Sequence, residues 1–340
     1  MTRSPLGTVV FCAAAGPRLG FGHLVRCRSL ARALGVELVM ALRGSRRTRE
    51  RAAALGSRLV DVSSGAALRA VGPSLMVIDD PSAPEAERWL RRARRAGVPV
   101  ATVHDVGLAY VASDLVIDGS VRAGAAPAGS DMLAGPAYAI LDPALDRARR
   151  IVRKPDPARL LIALGGGHHV RAAAAHLSAA LTRRLPHADL RIARGFAPAR
   201  ARPALSRGTW IDAPDGLAAE LAEASVAIVA GGVTLYEACA LGVPAVALAV
   251  TAAQQQTIRA MARHGAVIDG AGPPLDRERC DKVAEAVIHL LTNRERRTRQ
   301  ARVARRLVDA RGAHRVAHRL RALARRRGLE PTRTGGRRAS

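Results

Sequence analysis

The stretch "VVFCAAAGPRLGFGHLVRCRSLARAL", residues 9–34, contains an apolar run, a glycine-rich turn and a segment whose apolar residues recur with helical spacing. This order predicts a buried strand, a tight turn and a helix. The same order returns at "LLIALGGGHHV", residues 160–170, and short apolar runs alternate with helical segments along most of the chain. Such alternation is typical of parallel sheets covered by helices, so we expect an α/β protein.

The length of 340 residues allows two separate hydrophobic cores. A charged segment with two prolines, residues 146–160, separates the two series of strands. We therefore predict an N-terminal domain over residues 1–150, a C-terminal domain over residues 151–327 and a disordered basic tail over residues 328–340. In doubly wound domains ligands bind at the carboxyl ends of the strands, so the two domains should face each other across a binding cleft.

The chain carries a formal net charge of +26, and nearly all of its positive charge is arginine, because Lys154 and Lys282 are its only lysines. This excess reflects either a compositional bias or an attraction for anions such as nucleotides, lipid headgroups or nucleic acid. Aromatic residues make up only 2% of the chain, which leaves little for stacking on bases. We therefore expect no nucleic-acid partner.

The most arginine-rich segment covers residues 294–340, and its apolar positions, among them Val316 and Leu320, predict amphipathic helices with a cationic outer face. Such helices can lie on an anionic membrane surface, so a peripheral membrane contact is one expectation. No run of about 18 uninterrupted apolar residues occurs, so we expect no spanning helix. The four cysteines form no CxxC pair, which argues against a zinc site or a disulfide framework and favours a reduced, cytoplasmic setting.

Gly20, Gly22 and His23 stand at the start of the first predicted helix. Glycines allow the backbone to approach a ligand closely, and a helix N-terminus attracts phosphate or developing negative charge. The same field disfavours imidazolium, so His23 would stay neutral and able to accept a proton. Two interpretations remain open: a catalytic histidine in a ligand pocket, or a histidine that satisfies local backbone groups.

The segment "VAGGVTLYEACALGVPAV", residues 229–246, again places two glycines, Gly231 and Gly232, between a strand and a helix. This geometry suits a phosphate, with the Thr234 hydroxyl near it and the Glu237 carboxylate accepting the two hydroxyls of a ribose. The alternative is structural, because Thr-x-x-Glu is also the sequence of a capping box, in which each side chain bonds the other's backbone N–H.

Other candidates follow the predicted strands. The glycine run that contains Gly165 and Gly166 is interpreted as a loop near the nucleotide. The glutamines around Gln255 either bind sugar hydroxyls or a base, or are ordinary helix-surface residues. Three carboxylates come at strand ends: Asp79, Asp80 and Asp105. Carboxylates there order an attacking water or sugar hydroxyls, or they cap the following helices.

Five motifs, taken together, resemble a known family: "GFGHLVRCRSLARAL", "VIDD", "GPAYAILDPAL", "LIALGGG" and "AGGVTLYEACALGVPAVALAVTAAQQQ". Their sequences and their order along the chain resemble those of the UDP-sugar hydrolases of pseudaminic acid synthesis and the related spore-coat polysaccharide proteins (the PseG/SpsG group). More distantly, the second half resembles glycosyltransferases that add N-acetylglucosamine to lipid-linked peptidoglycan precursors. The resemblance implies the GT-B fold, in which two Rossmann-like domains face each other across a cleft.

The resemblance also implies an activity, the release of UDP and free sugar from a UDP-linked amino or deoxy sugar in surface polysaccharide or nonulosonic acid synthesis. His23 would activate or orient the attacking water, with Asp79 as a second catalytic residue. The nucleotide contacts it implies are Gly22, Gly165, Gly166, Gly231, Gly232, Thr234 and Glu237. The sugar contacts it implies are Gly20, Arg26, Tyr138 and Gln255. It implies neither a metal nor another cofactor.

The chain departs from the family mainly on the sugar side of the expected cleft. Asp80 and Pro81 follow "VID" where the hydrolases carry histidine or tyrosine, and Asp118 stands in place of an asparagine. These departures leave the acceptor open. Water would make the protein a hydrolase, whereas a hydroxyl of a sugar or lipid-linked acceptor would make it a GT-B glycosyltransferase.

Overall fold

The computed structural model describes residues 6–16, 19–105, 110–165, 170–195, 204–213, 216–270, 272–273 and 275–327. The predicted tail over residues 328–340 and the predicted nucleotide contact Gly166 lie outside these described residues. The described residues form two parallel sheets, each covered by helices.

The first sheet has the strand order β3-β2-β1-β4-β5-β6-β7. Its strands are β1 (Thr8–Ala14), β2 (Val39–Arg43), β3 (Arg58–Leu59), β4 (Pro73–Asp79), β5 (Val100–His104), β6 (Leu115–Asp118) and β7 (Asp131–Ala134). The helices that precede the second sheet are α1 (Gly22–Leu34), α2 (Arg46–Ala54), α3 (Gly65–Val71), α4 (Ala83–Arg95) and α5 (Ala144–Ala148), of which α5 packs in the second core through Leu145. Strand β1 is buried along nearly its whole length because helices cover both faces of the sheet.

The second sheet has the strand order β10-β9-β8-β11-β12-β13. Its strands are β8 (Asp156–Ala163), β9 (Asp189–Ala193), β10 (Thr209–Ile211), β11 (Ala224–Ala230), β12 (Ala245–Leu248) and β13 (Ile268–Asp269). The helices of the second half are α6 (Val170–Arg184), α7 (Ala218–Glu223), α8 (Val233–Leu241), α9 (Ala252–Arg263), α10 (Arg277–Thr292), α11 (Arg294–Leu307) and α12 (Gly312–Arg327). In each sheet the strand order reverses at the centre, between β1 and β4 in the first sheet and between β8 and β11 in the second. The loops that leave the two central strands there run to opposite sides of the sheet, which opens a crevice at the carboxyl ends of the strands.

The last helix, α12, packs on the first domain rather than the second. Its buried residues Ala313, Val316, Ala317 and Leu320 belong to the same apolar cluster as β1 and α1. The predicted boundary, which assigned all of residues 151–327 to the C-terminal domain, is therefore wrong for this helix. An amphipathic pattern in sequence identifies the apolar face of a helix and leaves open which core that face joins.

The same packing bears on the expected membrane contact of the C-terminal helices. Ala304 and Val308 pack into the second core, and Val316 and Leu320 into the first, so the apolar faces of α11 and α12 are buried inside the molecule. The apolar faces of these two helices therefore serve the two cores. Among the described residues, no helix combines the length and the hydropathy needed to span a bilayer.

The two crossings of the chain between the domains touch each other. A Cβ added to Gly312, at the start of α12, would lie 2.1 Å from the carbonyl oxygen of Ala139. Arg149 donates to the carbonyls of Ala240 and Val308, which ties the first crossing to α8 and to the end of α11. These contacts hold the carboxyl ends of both sheets towards a common cleft.

Candidate active site

A cleft of about 790 Å³ lies between the domains, at the carboxyl ends of both sheets. Its N-terminal wall includes Gly20, Gly22, His23, Arg26, Asp79, His104, Asp105 and Ser120. Its C-terminal wall includes Gly165, Gly231, Gly232, Thr234, Glu237, Gln254 and Thr257. The structure thus brings most of the predicted site residues together in one concave space, as expected for two doubly wound domains.

His23 pairs with a buried carboxylate at the end of a central strand. Its Nδ1 lies 2.7 Å from Oδ1 of Asp79, the last residue of β4, whose side chain is 2% exposed. Arg26 Nη2 lies 2.9 Å from the same nitrogen, but its shorter 2.6 Å contact is to Asp79 Oδ1. An ionised carboxylate can only accept, so Nδ1 of His23 donates to Asp79 and Nε2 is the nitrogen left to accept a proton.

Arg26 lies in an ion-pair network rather than presenting its guanidinium to open solvent. Its Nε donates to Asp79 Oδ2 at 2.8 Å, and its Nη1 donates to Asp105. Burial by itself raises the pKa of Asp79, but the charges and hydrogen bonds of Arg26 and His23 outweigh it and hold that pKa well below its usual range. Arg26, which the family resemblance placed at the sugar, therefore fixes the carboxylate that positions His23.

The N-termini of α1 and α8 face each other across the cleft. A Cβ on Gly22, the first residue of α1, would lie 3.7 Å from Cγ2 of Val233, the first residue of α8. Neither helix has a side-chain hydrogen bond from its N-cap residue, Phe21 or Gly232. Two positive helix ends at one cleft form a favourable environment for a diphosphate.

The start of α8 rules out the capping-box alternative for Thr234 and Glu237. The N-cap of α8 is Gly232, so Thr234 is the second helical residue, whereas a capping box requires threonine at the N-cap itself. The Thr234 side chain instead hydrogen-bonds the Glu237 carboxylate. Burial first, and then the charge of Asp142, raises the pKa of Glu237 to about 7 against the opposing effect of Arg28 and Thr234.

Helix α9 packs tightly against the glycine pair before α8. A Cβ on Gly231 would lie 2.9 Å from Cβ of Gln254 and 3.0 Å from the Ile258 side chain, so the glycine is required for this approach. Gln254 lines the cleft, and its Oε1 accepts from the backbone N–H of Val250 at 3.0 Å. In contrast, Gln255, the predicted sugar contact, donates through Nε2 to Asp269, away from the cleft lining.

Of two further candidates, Tyr138 lies outside the cleft, whereas Asp80 lines it but is held by partners within the protein. Tyr138 ends a 3-10 turn and lines a separate cavity beside α12, so it is not part of the cleft. Asp80 accepts from Nε and Nη2 of Arg43, at 3.0 and 2.6 Å, and from the backbone N–H of Ser82. Asp80 therefore has the structural role that the sequence left open for the strand-end carboxylates, and its oxygens are bound within the protein.

Two cleft residues, His104 and Ser120, were missed by the sequence reasoning. His104 ends β5 and Ser120 follows β6, so both occupy the strand-end positions that had singled out Asp79. The signal was present in "VATVH" and "DLVIDGS", because each polar residue follows a buried apolar strand. The signal is weak because histidine and serine at a strand end also resemble ordinary turn residues.

The chain is similar to several known proteins. It is 32% identical over 143 residues to the spore coat polysaccharide biosynthesis protein SpsG of Bacillus subtilis, which covers 40% of this chain and 42% of that protein. It resembles MurG of Acinetobacter baumannii with a TM-score of 0.62 and 16% identity, over 93% of this chain and 99% of MurG. It resembles the spinosyn rhamnosyltransferase SpnG, solved with thymidine diphosphate, with a TM-score of 0.62 and 18% identity, over 93% and 100%. No protein-family model matches the chain.

These similarities establish the fold. The match to SpsG spans less than half the length of that protein, and the two structures are below 20% identical to this chain. The structural matches nevertheless extend over nearly the whole chain, including both sheets. The predicted architecture is confirmed: the protein has the GT-B fold, with two Rossmann-like α/β domains facing across a cleft.

Proposed function

We propose that this protein is a glycosyltransferase that moves a sugar from a UDP-sugar to a hydroxyl-bearing acceptor. The observation that carries the proposal is the position of the His23–Asp79 pair opposite the N-terminus of α8. A base that accepts a proton and a helix end that stabilises a diphosphate are the two groups that glycosyl transfer from a nucleotide requires. The similarity to MurG and to SpnG, which was solved with thymidine diphosphate, supports this assignment.

The C-terminal domain supplies the nucleotide site in this proposal. Gly231 and Gly232 bring the backbone close to the diphosphate, and the backbone N–H groups at the start of α8 donate to its oxygens, while the Thr234 hydroxyl stays on the Glu237 carboxylate. The Glu237 carboxylate, already buried against Thr234, accepts the two hydroxyls of the ribose. Binding a diol to this carboxylate favours its ionised form, so nucleotide binding lowers the pKa that burial has raised.

The N-terminal domain supplies the base. Nε2 of His23 accepts the proton of the acceptor hydroxyl while that oxygen attacks the anomeric carbon. The bond between the anomeric carbon and the diphosphate oxygen breaks, and UDP leaves with the electron pair. Asp79 holds the Nδ1–H of His23 and stabilises the imidazolium that forms, and Arg26 keeps Asp79 ionised.

An apolar rim at the mouth of the cleft favours transfer to an acceptor over transfer to water. Leu19 is 47% exposed there, and Leu55, Pro81 and Ala83 line the same wall. Exposed apolar side chains beside a polar site bind the apolar part of a ligand, which water does not have. Hydrolysis is the second candidate, and the "GFGH" motif, which resembles that of the UDP-sugar hydrolases, favours it.

The test compares UDP release from UDP-GlcNAc and UDP-glucose with and without alkyl glycosides, whose apolar tail and sugar hydroxyls fit the expected acceptor. We expect UDP release to rise with the acceptor, and His23→Ala to lower the rate about 100- to 10,000-fold, the range for loss of a general base. His264→Gln is the matched control, because His264 lies exposed at the far end of α9. Equal release with and without the acceptor would show hydrolysis, and no binding of UDP would refute both candidates.

A further inference from the structure

Among the uncharged side chains on the walls of the cleft, three buried atoms have no hydrogen-bond partner within the described residues. They are Nε2 of His104, Oγ of Ser120 and Oγ1 of Thr257. The Ser120 and Thr257 residues are only 4% and 2% exposed. A buried polar atom without a partner is unfavourable, and native proteins almost always satisfy such atoms. Three of them at one cleft point to a ligand that supplies the missing hydrogen bonds.

The two N-terminal members stand side by side at the carboxyl edge of the first sheet. His104 pairs in register with Asp118, and Ser120 follows two residues later. Neighbouring strands lie about 5 Å apart, so the two side chains are within reach of a single sugar ring. Asp118 holds this edge in place, since its Oδ1 accepts from the backbone N–H of Ser120 at 2.8 Å and its Oδ2 from the Tyr110 hydroxyl at 2.7 Å.

His104 is suited to a neutral ligand. Burial, the largest effect, lowers its pKa against the opposing charges of Asp118, Asp79 and Asp105. The ring packs edge-on against Tyr110, with the ring centroids 5.1 Å apart. An uncharged imidazole in this position offers one hydrogen bond through Nε2 and no charge, as suits a sugar hydroxyl or amide.

The third member lies on the opposite wall, beside the glycine pair that precedes α8. Thr257 is one turn beyond Gln254 in α9, and both Gln254 and Ile258 contact the position where Gly231 would carry a Cβ. The N-terminal wall is connected to α8 as well. The backbone N–H of Val121, next to Ser120, donates to the hydroxyl of Tyr236 in α8 at 3.1 Å. The three atoms therefore border the space next to the proposed diphosphate site.

We propose that His104, Ser120 and Thr257 form a subsite for the sugar of the donor, and that they bind its hydroxyl or acylamino substituents. This inference rests on the proposed function, since it assumes that a nucleotide occupies the glycine pair and α8. The sugar then extends from the diphosphate towards His23, with its anomeric carbon at the base and its ring substituents against the three unsatisfied atoms. The subsite would select donors with a polar substituent at these positions.

The experiment measures dissociation constants for UDP and for a panel of UDP-glucose, UDP-galactose, UDP-GlcNAc and UDP-GalNAc. The variants are Ser120→Ala, Thr257→Val and His104→Phe. Each should weaken binding of at least one UDP-sugar about 3- to 10-fold, the equivalent of one lost neutral hydrogen bond, and leave the affinity for UDP unchanged. Because none of the three atoms has a hydrogen bond to lose, thermal stability should not fall in Ser120→Ala or Thr257→Val.

Ser130→Ala is the matched control. Ser130 Oγ is also buried without a partner among the described residues, but it is absent from the cleft walls, so its loss should change neither affinity. Variants that weaken UDP and UDP-sugars equally, or that weaken neither across the panel, would overturn the subsite. If the unmodified protein binds no UDP, the proposed function itself fails, which is a different result from a failure of the subsite alone.

Discussion

The N-termini of α1 and α8 have the same local structure, but the pKa of the buried carboxylate beside each is shifted in opposite directions. Each follows a central strand and a glycine turn, and neither has a side-chain N-cap. At α1, Arg26 forms an ion pair with the Asp79 carboxylate and His23 donates a hydrogen bond to it. At α8, the Glu237 carboxylate is buried with a hydrogen bond from Thr234 and has a pKa raised to about 7.

The Asp79 cluster is therefore preorganised, whereas the protonation of Glu237 changes when a ligand binds. The Asp79 cluster is satisfied before any ligand arrives, so it can hold a base in position at no further cost. Glu237 is left in an unfavourable environment that a ribose would improve. One strand–glycine–helix unit therefore handles a proton and the other holds a ligand, although their local sequences predict the same shape.

The largest effect is expected from Asp79→Asn. This change removes the charge that Arg26 and His23 share and leaves Arg26 buried with Asp105 alone, so the free energy of unfolding should fall by about 3 kcal/mol. Urea denaturation at pH 7 measures it. The folded pKa of Asp79 is lowered, so its contribution is present above the unfolded pKa and is lost as pH falls below it. The difference between variant and unmodified protein should therefore shrink from about pH 4 downwards.

A Glu87→Gln variant is the control, because Glu87 is exposed in α4 and its ion pair within the described residues is with the exposed side chain of Arg91. It should change stability by less than about 0.5 kcal/mol. A difference between Asp79→Asn and the unmodified protein that stays constant from pH 7 to pH 3 would show that the ion pairs of Asp79 do not stabilise the fold.

Glu237→Gln should act in the opposite direction. Its pKa rises from 4.5 to about 7 on folding, so the unmodified protein loses stability as pH increases through this window. Each pKa unit corresponds to about 1.4 kcal/mol, so the variant should be more stable by roughly 3 kcal/mol at pH 8 and unchanged at pH 4. The same variant should bind UDP-GlcNAc more weakly at pH 8, because the amide offers the two ribose hydroxyls one neutral acceptor oxygen where the carboxylate offers two charged ones.

Thermal unfolding at pH 4 and pH 8, with and without UDP-GlcNAc, measures both effects in one experiment. UDP-GlcNAc is preferred to UDP because its esterified diphosphate does not titrate near pH 7. A variant that is less stable than the unmodified protein at pH 8 would show that the Glu237 carboxylate stabilises the fold instead of waiting for a ligand.

The order of the elements could be predicted from the sequence, whereas some side-chain destinations could not. The glycine turns before α1 and α8 follow from local sequence, and parallel topology places their residues at one cleft. The path of the inter-domain crossings is set by packing between distant residues such as Gly312 and Ala139, so Tyr138 was assigned to the wrong cavity. Helix α9 begins at Ala252, and this start decides that Gln254 rather than Gln255 lines the cleft.

The smallest effects come from the glycines, and they test whether each glycine serves the fold or the ligand. A methyl group at position 231 would press on Gln254 and Ile258, so Gly231→Ala should lower the free energy of unfolding by about 1–3 kcal/mol. A methyl group at position 22 would meet only Val233 at 3.7 Å, an ordinary contact. Gly22→Ala should therefore change stability by less than about 0.5 kcal/mol.

The affinity for UDP then separates the two roles. The added methyl of Gly22→Ala lies between the N-termini of α1 and α8, where we place the diphosphate, so this variant should bind UDP more weakly while it melts at an unchanged temperature. Isothermal titration and thermal unfolding on the same preparations measure both quantities. If Gly22→Ala destabilises the protein as much as Gly231→Ala does, both glycines serve packing, and the two helix entrances are alike in function as well as in sequence.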